Sequence, residues 1–123
     1  MGKTYLDARS VLSAEDFQYA TVDCPEWGGM IRVRGLTAGE QSIISKKVQA
    51  KETGDLAVLA VIYGCVDANG EQIFSSSDKD SLRKKANQVV NRIARKIFEL
   101  SGGDDASIMA AEKNSGKTPG AAS

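Results

Sequence analysis

The residues that most often carry out chemistry are scarce in this chain. It contains no histidine, which removes the commonest general base, the usual nucleophile triads and most zinc sites. Of its two cysteines, Cys65 lies in an apolar run and reads as an inert core thiol. Cys24, followed by Pro25, has no cation beside it in sequence to lower its pKa. Both read as reduced thiols of a cytoplasm rather than as a bridge. The carboxylate pairs Asp78/Asp80 and Asp104/Asp105 stand at a helix start and in a polar tail, where capping and solvation account for them. Asp67-Ala68-Asn69-Gly70-Glu71 shares letters with a calcium loop, but it lacks the ligand spacing and the closing bidentate glutamate, so it reads as a turn. Ser115-Gly116-Lys117-Thr118 ends like a phosphate-binding loop without its first glycine or a preceding strand. The expectation is no catalytic set, no cofactor and no metal.

Two binding signals remain. Arg83-Lys84-Lys85, with Arg92, Arg95 and Lys96, could touch phosphates. The solvated face of two helices is the preferred reading, because 16 basic residues balance 16 acidic ones and leave no net field to attract nucleic acid or an anionic membrane. The second signal is Trp27, the single tryptophan, beside Gly28-Gly29. It is either packed back on the final helix or displayed as a contact anchor.

The elements that must position Trp27 read clearly. Gln18 to Cys24 alternates, with Ala20 and Val22 on one side and Thr21 and Asp23 on the other. Met30 to Arg34 does the same, with Ile31 and Val33 opposed to Arg32 and Arg34. Period-2 alternation marks half-buried strands, and Gly28-Gly29 can take the positive φ of a tight reversal, so a β-hairpin is expected. Thr37 followed by Glu40 forms a capping box that opens a helix carrying Ile43, Ile44 and Val48 and stopping near Thr53-Gly54. Asp55 is placed to cap a second helix, Leu56 to Val66, apolar almost all round and hence central; a strand over 58–66 is the alternative.

Asn69-Gly70 marks a turn, after which Glu71–Phe74 is expected to run extended with Ile73 and Phe74 inward. Ser75–Asp78 supplies caps for a short helix, Lys79 to Lys85, and Asn87 caps or breaks the chain before the last one. Leu82, Ala86, Val89, Val90, Ile93, Ala94, Ile97 and Leu100 recur at spacings of three and four, opposite Arg92, Arg95, Lys96 and Glu99. At the N-terminus, 1–17 reads as an arm with Tyr5, Leu6, Val11 and Leu12 as anchors and Ser13 capping a turn at Ala14–Asp16; it has no apolar core of a secretory signal. Residues 103–123 turn to Gly, Ser, Ala, Asp and Lys and are expected to be disordered, with Ile108-Met109 a small apolar island. The composition, 41% hydrophobic and 26% charged over 123 residues, fits one ordinary domain, and no apolar run approaches the roughly 20 residues of a membrane helix. The fold class expected is α+β: a small hairpin or sheet against three or four helices, over 18–102.

The series Pro25-Glu26-Trp27-Gly28-Gly29-x-Ile31-x-Val33-Arg34-x-Leu36-Thr37-Ala38-x-Glu40 resembles the tail assembly chaperones of long-tailed bacteriophages. So does Tyr63-Gly64-Cys65-Val66-Asp67-x-Asn69-Gly70-x-x-Ile73-Phe74-Ser75-x-x-Asp78, followed by Leu82, Lys85 and a helix ending Leu100-Ser101-Gly102. The resemblance implies a non-enzymatic protein of the host cytoplasm that coats the tape measure protein, keeps it soluble, recruits major tail tube subunits and is absent from the finished virion. It also implies a homo-oligomer and, in many members, a longer product made by ribosomal frameshifting, for which Ser115-Gly116-Lys117 is compatible with a slippery G-GGA-AAG site. Candidate partner or self-association contacts are Trp27, Gly28, Gly29, Met30, Arg32 and Arg34 at the hairpin, and Ile108 and Met109 in the tail. The rival readings are a structural head–tail connector or tail terminator and a small nucleic-acid-binding regulator.

Overall fold

In a computed structural model of the chain, residues 5–52 and 54–102 are described. Strands β1 (Tyr19–Cys24) and β2 (Gly29–Arg34) form the expected antiparallel hairpin, with Tyr19 opposite Arg34 and Cys24 opposite Gly29. The reversal is made differently from the expectation. Pro25–Trp27 form one 3-10 turn, and Gly28 alone takes positive φ (87°) while its N–H donates to Pro25 O; Gly29 is already strand. One left-handed residue is enough because the proline supplies the fixed φ for the turn's entry.

Thr37 opens helix α2 (Ala38–Gln49) with the complete capping box: its hydroxyl accepts from Glu40 N–H at 3.0 Å, and Glu40 accepts from Thr37 N–H at 2.9 Å. The helix ends at Ala50, earlier than Thr53-Gly54. Lys51 takes the left-handed position (φ 62°), with Lys51 N–H donating to Val48 O and Glu52 N–H to Lys47 O. That pair of hydrogen bonds is a Schellman closure, whose left-handed position ordinarily falls to glycine. Only Ile44 of α2 is buried; Ile43 and Val48 are exposed.

Helix α3 (Leu56–Gly64) is the central element, with every residue buried except the half-buried Tyr63. The helix reading therefore holds for 56–64, but Cys65–Val66 leave it as strand β3, paired antiparallel with Arg32 and Val33 of β2. The sheet order is β1-β2-β3. Asp55 makes no side-chain cap; it binds Lys79 and Arg83, each at 3.2 Å, which ties the start of α3 to the next helix. The Asn69-Gly70 turn forms, with Gly70 at φ 84° and the Asp67 carboxylate accepting from the Asn69 and Glu71 N–H groups. Phe74 packs on the core as expected, whereas Ile73 points out, since the bridge from Gln72 to Val66 alternates it to the solvent side.

Ser76–Asp78 form a 3-10 turn leading into α4 (Lys79–Arg83), shorter than expected. Ala86, not Asn87, is the cap position of α5 (Asn87–Leu100), without a side-chain hydrogen bond. The stripe Val89, Val90, Ile93, Ala94 and Ile97 is buried against α3 and the sheet, joined by Phe98, which the spacing had not singled out. Two glycines let these layers meet. A Cβ on Gly64 would stand 2.6 Å from Ile97 Cδ1, and one on Gly35 would stand 2.7 Å from Leu100 O. The architecture is thus α+β, a three-stranded sheet with five helices among the described residues.

The N-terminal arm is the main departure. Instead of a turn capped by Ser13 at Ala14–Asp16, helix α1 spans Ala8–Ser13 and is capped by Asp7, whose carboxylate accepts from Ser10 N–H at 2.8 Å. An acidic cap three residues before its N–H partner satisfies a first-turn donor. None of α1 is buried, so Tyr5, Leu6, Val11 and Leu12 are not anchors within this chain. Ile108 and Met109, with all of 103–123, lie outside the described residues.

Candidate interaction surface

The hairpin and α5 carry the residues singled out from sequence, and the structure sorts them into two ends. At the closed end, Glu26 and Arg92 make a two-pronged ion pair at 2.8 and 2.7 Å, and Arg92 also donates to Asp23 O at 3.1 Å. The paired hydrogen bonds from Arg92 hold the Glu26 carboxyl down at about 2. Trp27 sits on this clamped turn, half-buried against the core, with the Lys85 ammonium 6.0 Å from its ring centroid. Trp27 is thus partly packed on the core and partly open to solvent. Gly28 and Gly29 are exposed, and Met30, opposite Asp23, is 71% exposed at the same tip.

Arg32 and Arg34 are drawn back into the chain's own structure. Arg32 stacks 4.0 Å over the Tyr19 ring and donates to Asp67 O and Ala68 O, joining the hairpin to the following turn. Arg34, on the face opposite Ile31 and Val33, is nonetheless only 8% exposed. It pairs with Glu40 at 3.1 and 3.2 Å, donates to Gly35 O and lies 4.5 Å over the Phe17 ring. The capping-box glutamate therefore does two jobs, closing the helix start and neutralising a buried guanidinium. Burial by itself would raise the Glu40 carboxyl; the Arg34 and Thr37 hydrogen bonds outweigh it, and the group sits below the ordinary value.

The thiols behave as core. Burial pushes Cys65 up to about 12, and burial likewise raises Cys24 despite the nearby Arg92 charge. Among the described residues no group of three or more cysteine or carboxylate side chains is placed to hold a metal. Three of the six cations that read as a basic face pair with the chain's own carboxylates: Arg83 with Asp55, Arg92 with Glu26 and Lys96 with Glu99. No described helix is long and apolar enough to cross a membrane.

What the arrangement offers is a braced hairpin tip with an exposed methionine and a half-exposed tryptophan, plus an arm at the opposite end. Sequence reasoning found the tip. It missed Glu26–Arg92, whose partners are 66 positions apart, and the only available signal was that each lies on a clear element.

No family model matches the chain, and no curated protein does. Among solved structures, the tail assembly chaperone of bacteriophage HK97 matches with a TM-score of 0.59 at 21% identity, covering 79% of this chain and 95% of that one. The hairpin, capped helix, buried central helix and amphipathic final helix therefore form a fold similar to that of the HK97 tail assembly chaperone.

Proposed function

We propose that this chain is a phage tail assembly chaperone, non-enzymatic and acting in the host cytoplasm, that binds and solubilises the tape measure protein and recruits major tail tube subunits. The observation that supports this most is the fold likeness, which runs over 95% of the HK97 chaperone. In this reading the protein self-associates along its client and leaves before the virion is complete. Met30 and the open part of Trp27 at the clamped tip present apolar surface with little ordering cost, because Glu26 and Arg92 already hold the turn. A frameshifted longer product accompanies it; a Gly116 codon other than GGA removes the site named above.

The experiment is co-expression with the tape measure protein encoded nearby, read by solubility and pull-down. The partner becoming soluble and co-purifying supports the proposal. An insoluble, unbound partner, together with a stoichiometric band of this protein in purified virions, replaces it with a structural connector or terminator.

A further inference from the structure

We propose that the turn bearing Trp27, together with Lys84 and Lys85, is the docking surface for a client segment that combines apolar and acidic residues. This deepens the chaperone reading and rests on it for the partner's identity, while the chemistry of the segment follows from the charges around the turn. Trp27 is partly open to solvent, and the Lys85 ammonium stands 6.0 Å from its ring centroid. A side chain packed on the open part of the indole therefore lies within reach of that charge. Lys84 and Lys85 are both exposed, and neither pairs with a carboxylate among the described residues.

The carboxylates of the same elements are engaged: Glu26 holds Arg92, and Arg83 lies between Asp55 and Asp80. The exposed Asp23 is opposite Met30 on the face turned from the core, whereas Trp27 packs on the core side. Lys85 and Arg92, on either side of the start of α5, both reach the Pro25–Trp27 turn. That helix start has no side-chain cap and no acidic residue in its first turn, so its positive end adds to the charge of the two lysines. A chain whose 16 basic and 16 acidic residues balance thus carries a local positive patch around its single tryptophan. An apolar side chain flanked by carboxylates satisfies both halves of such a surface. A nucleic acid fits it less well. The guanidinium groups of Arg83 and Arg92 are held by carboxylates, which leaves two ammonium groups for a run of phosphates.

Trp27 is the only tryptophan, so its fluorescence reports on this surface directly. The full chain is titrated with an amphipathic leucine–glutamate peptide that lacks tryptophan. Trp27 emission is expected to move to shorter wavelength and saturate. The half-point is expected to rise at least about tenfold in Lys84→Glu/Lys85→Glu, which turns two attractions into repulsions. It rises likewise at about 1 M salt, where the screening length falls to about 3 Å. Lys46→Glu, on the exposed side of α2, is expected to leave it unchanged, and a leucine–lysine peptide and oligo(dT) are expected to leave the emission unmoved. No shift with the acidic peptide, an equal shift with the lysine peptide, a shift with oligo(dT), or an undiminished response in Lys84→Glu/Lys85→Glu of native helix content overturns the proposal. So does an equal loss in Lys46→Glu. A chain that binds the acidic peptide through these lysines yet leaves the tape measure protein insoluble and unbound refutes the chaperone reading and leaves the surface's chemistry standing.

Discussion

Gly64→Ala puts local propensity and tertiary packing in opposition. Gly64 is the last residue of α3, at ordinary φ, and by helix propensity alone an alanine there gains up to about 1 kcal/mol. The structure requires the opposite sign. The new Cβ would lie 2.6–2.8 Å from three atoms of Ile97, itself 0% exposed and unable to swing away. Overpacking of a tight core costs about 1–3 kcal/mol, so the net expectation is a loss of about 1–2 kcal/mol. With a urea m-value on the order of 1–3 kcal/mol/M, the midpoint followed by circular dichroism or Trp27 fluorescence falls by roughly 0.5–1.5 M. Ile97→Val removes the nearest of the three atoms and by itself costs about 0.5–1.5 kcal/mol. Combined with Gly64→Ala it costs less than the sum, by at least about 0.5 kcal/mol. A neutral or stabilised Gly64→Ala, or strict additivity with Ile97→Val, would refute the packing of α3 on α5.

Three further outcomes are expected. Lys51→Gly raises stability by about 1 kcal/mol, since the left-handed C-terminal position of α2 costs a side chain roughly 1–2 kcal/mol; a lower midpoint in urea would mean that α2 does not close there. The Glu26 carboxyl, lowered from 4.5 to about 2 by Arg92, contributes stability that is present above pH 4.5 and lost as pH falls toward 2. Carboxyl NMR should therefore show Glu26 titrating near 2 and returning toward 4.5 in Arg92→Ala, and an ordinary midpoint in the native protein contradicts the clamp. Cys24 and Cys65, both buried with raised pKa values, stay unreactive to a thiol reagent at pH 8 until urea unfolds the chain; fast native labelling of either disproves the burial.

How much of this protein was legible in its sequence follows from the range of the interactions. The Thr37–Glu40 box, the Asp67–Gly70 turn, the strand alternation and the α5 stripe each act within a few residues, so their signals are written locally and they form as read. Where two local signals competed, tertiary contacts decided. Asp55 gave up capping for Lys79 and Arg83, and Cys65–Val66 left the helix because β2 offered an unpaired edge. The candidate surface divides the same way: the exposure of Met30 follows from its place at the tip, whereas Arg34, on the face opposite Val33, is covered there by Phe17 and Glu40, which alternation does not foresee.

The sequence by itself determined a small α+β unit with a glycine-assisted hairpin, a capped helix, a central apolar helix and an amphipathic last one, because periodicity and capping are properties of neighbouring residues. Only the tertiary structure decided that Arg34 is buried on Glu40, that Arg92 clamps Glu26, that Gly35 and Gly64 are there for closeness, and that α1 stands uncovered. Those facts depend on which surfaces meet across tens of residues, and no spacing along the chain encodes that distance.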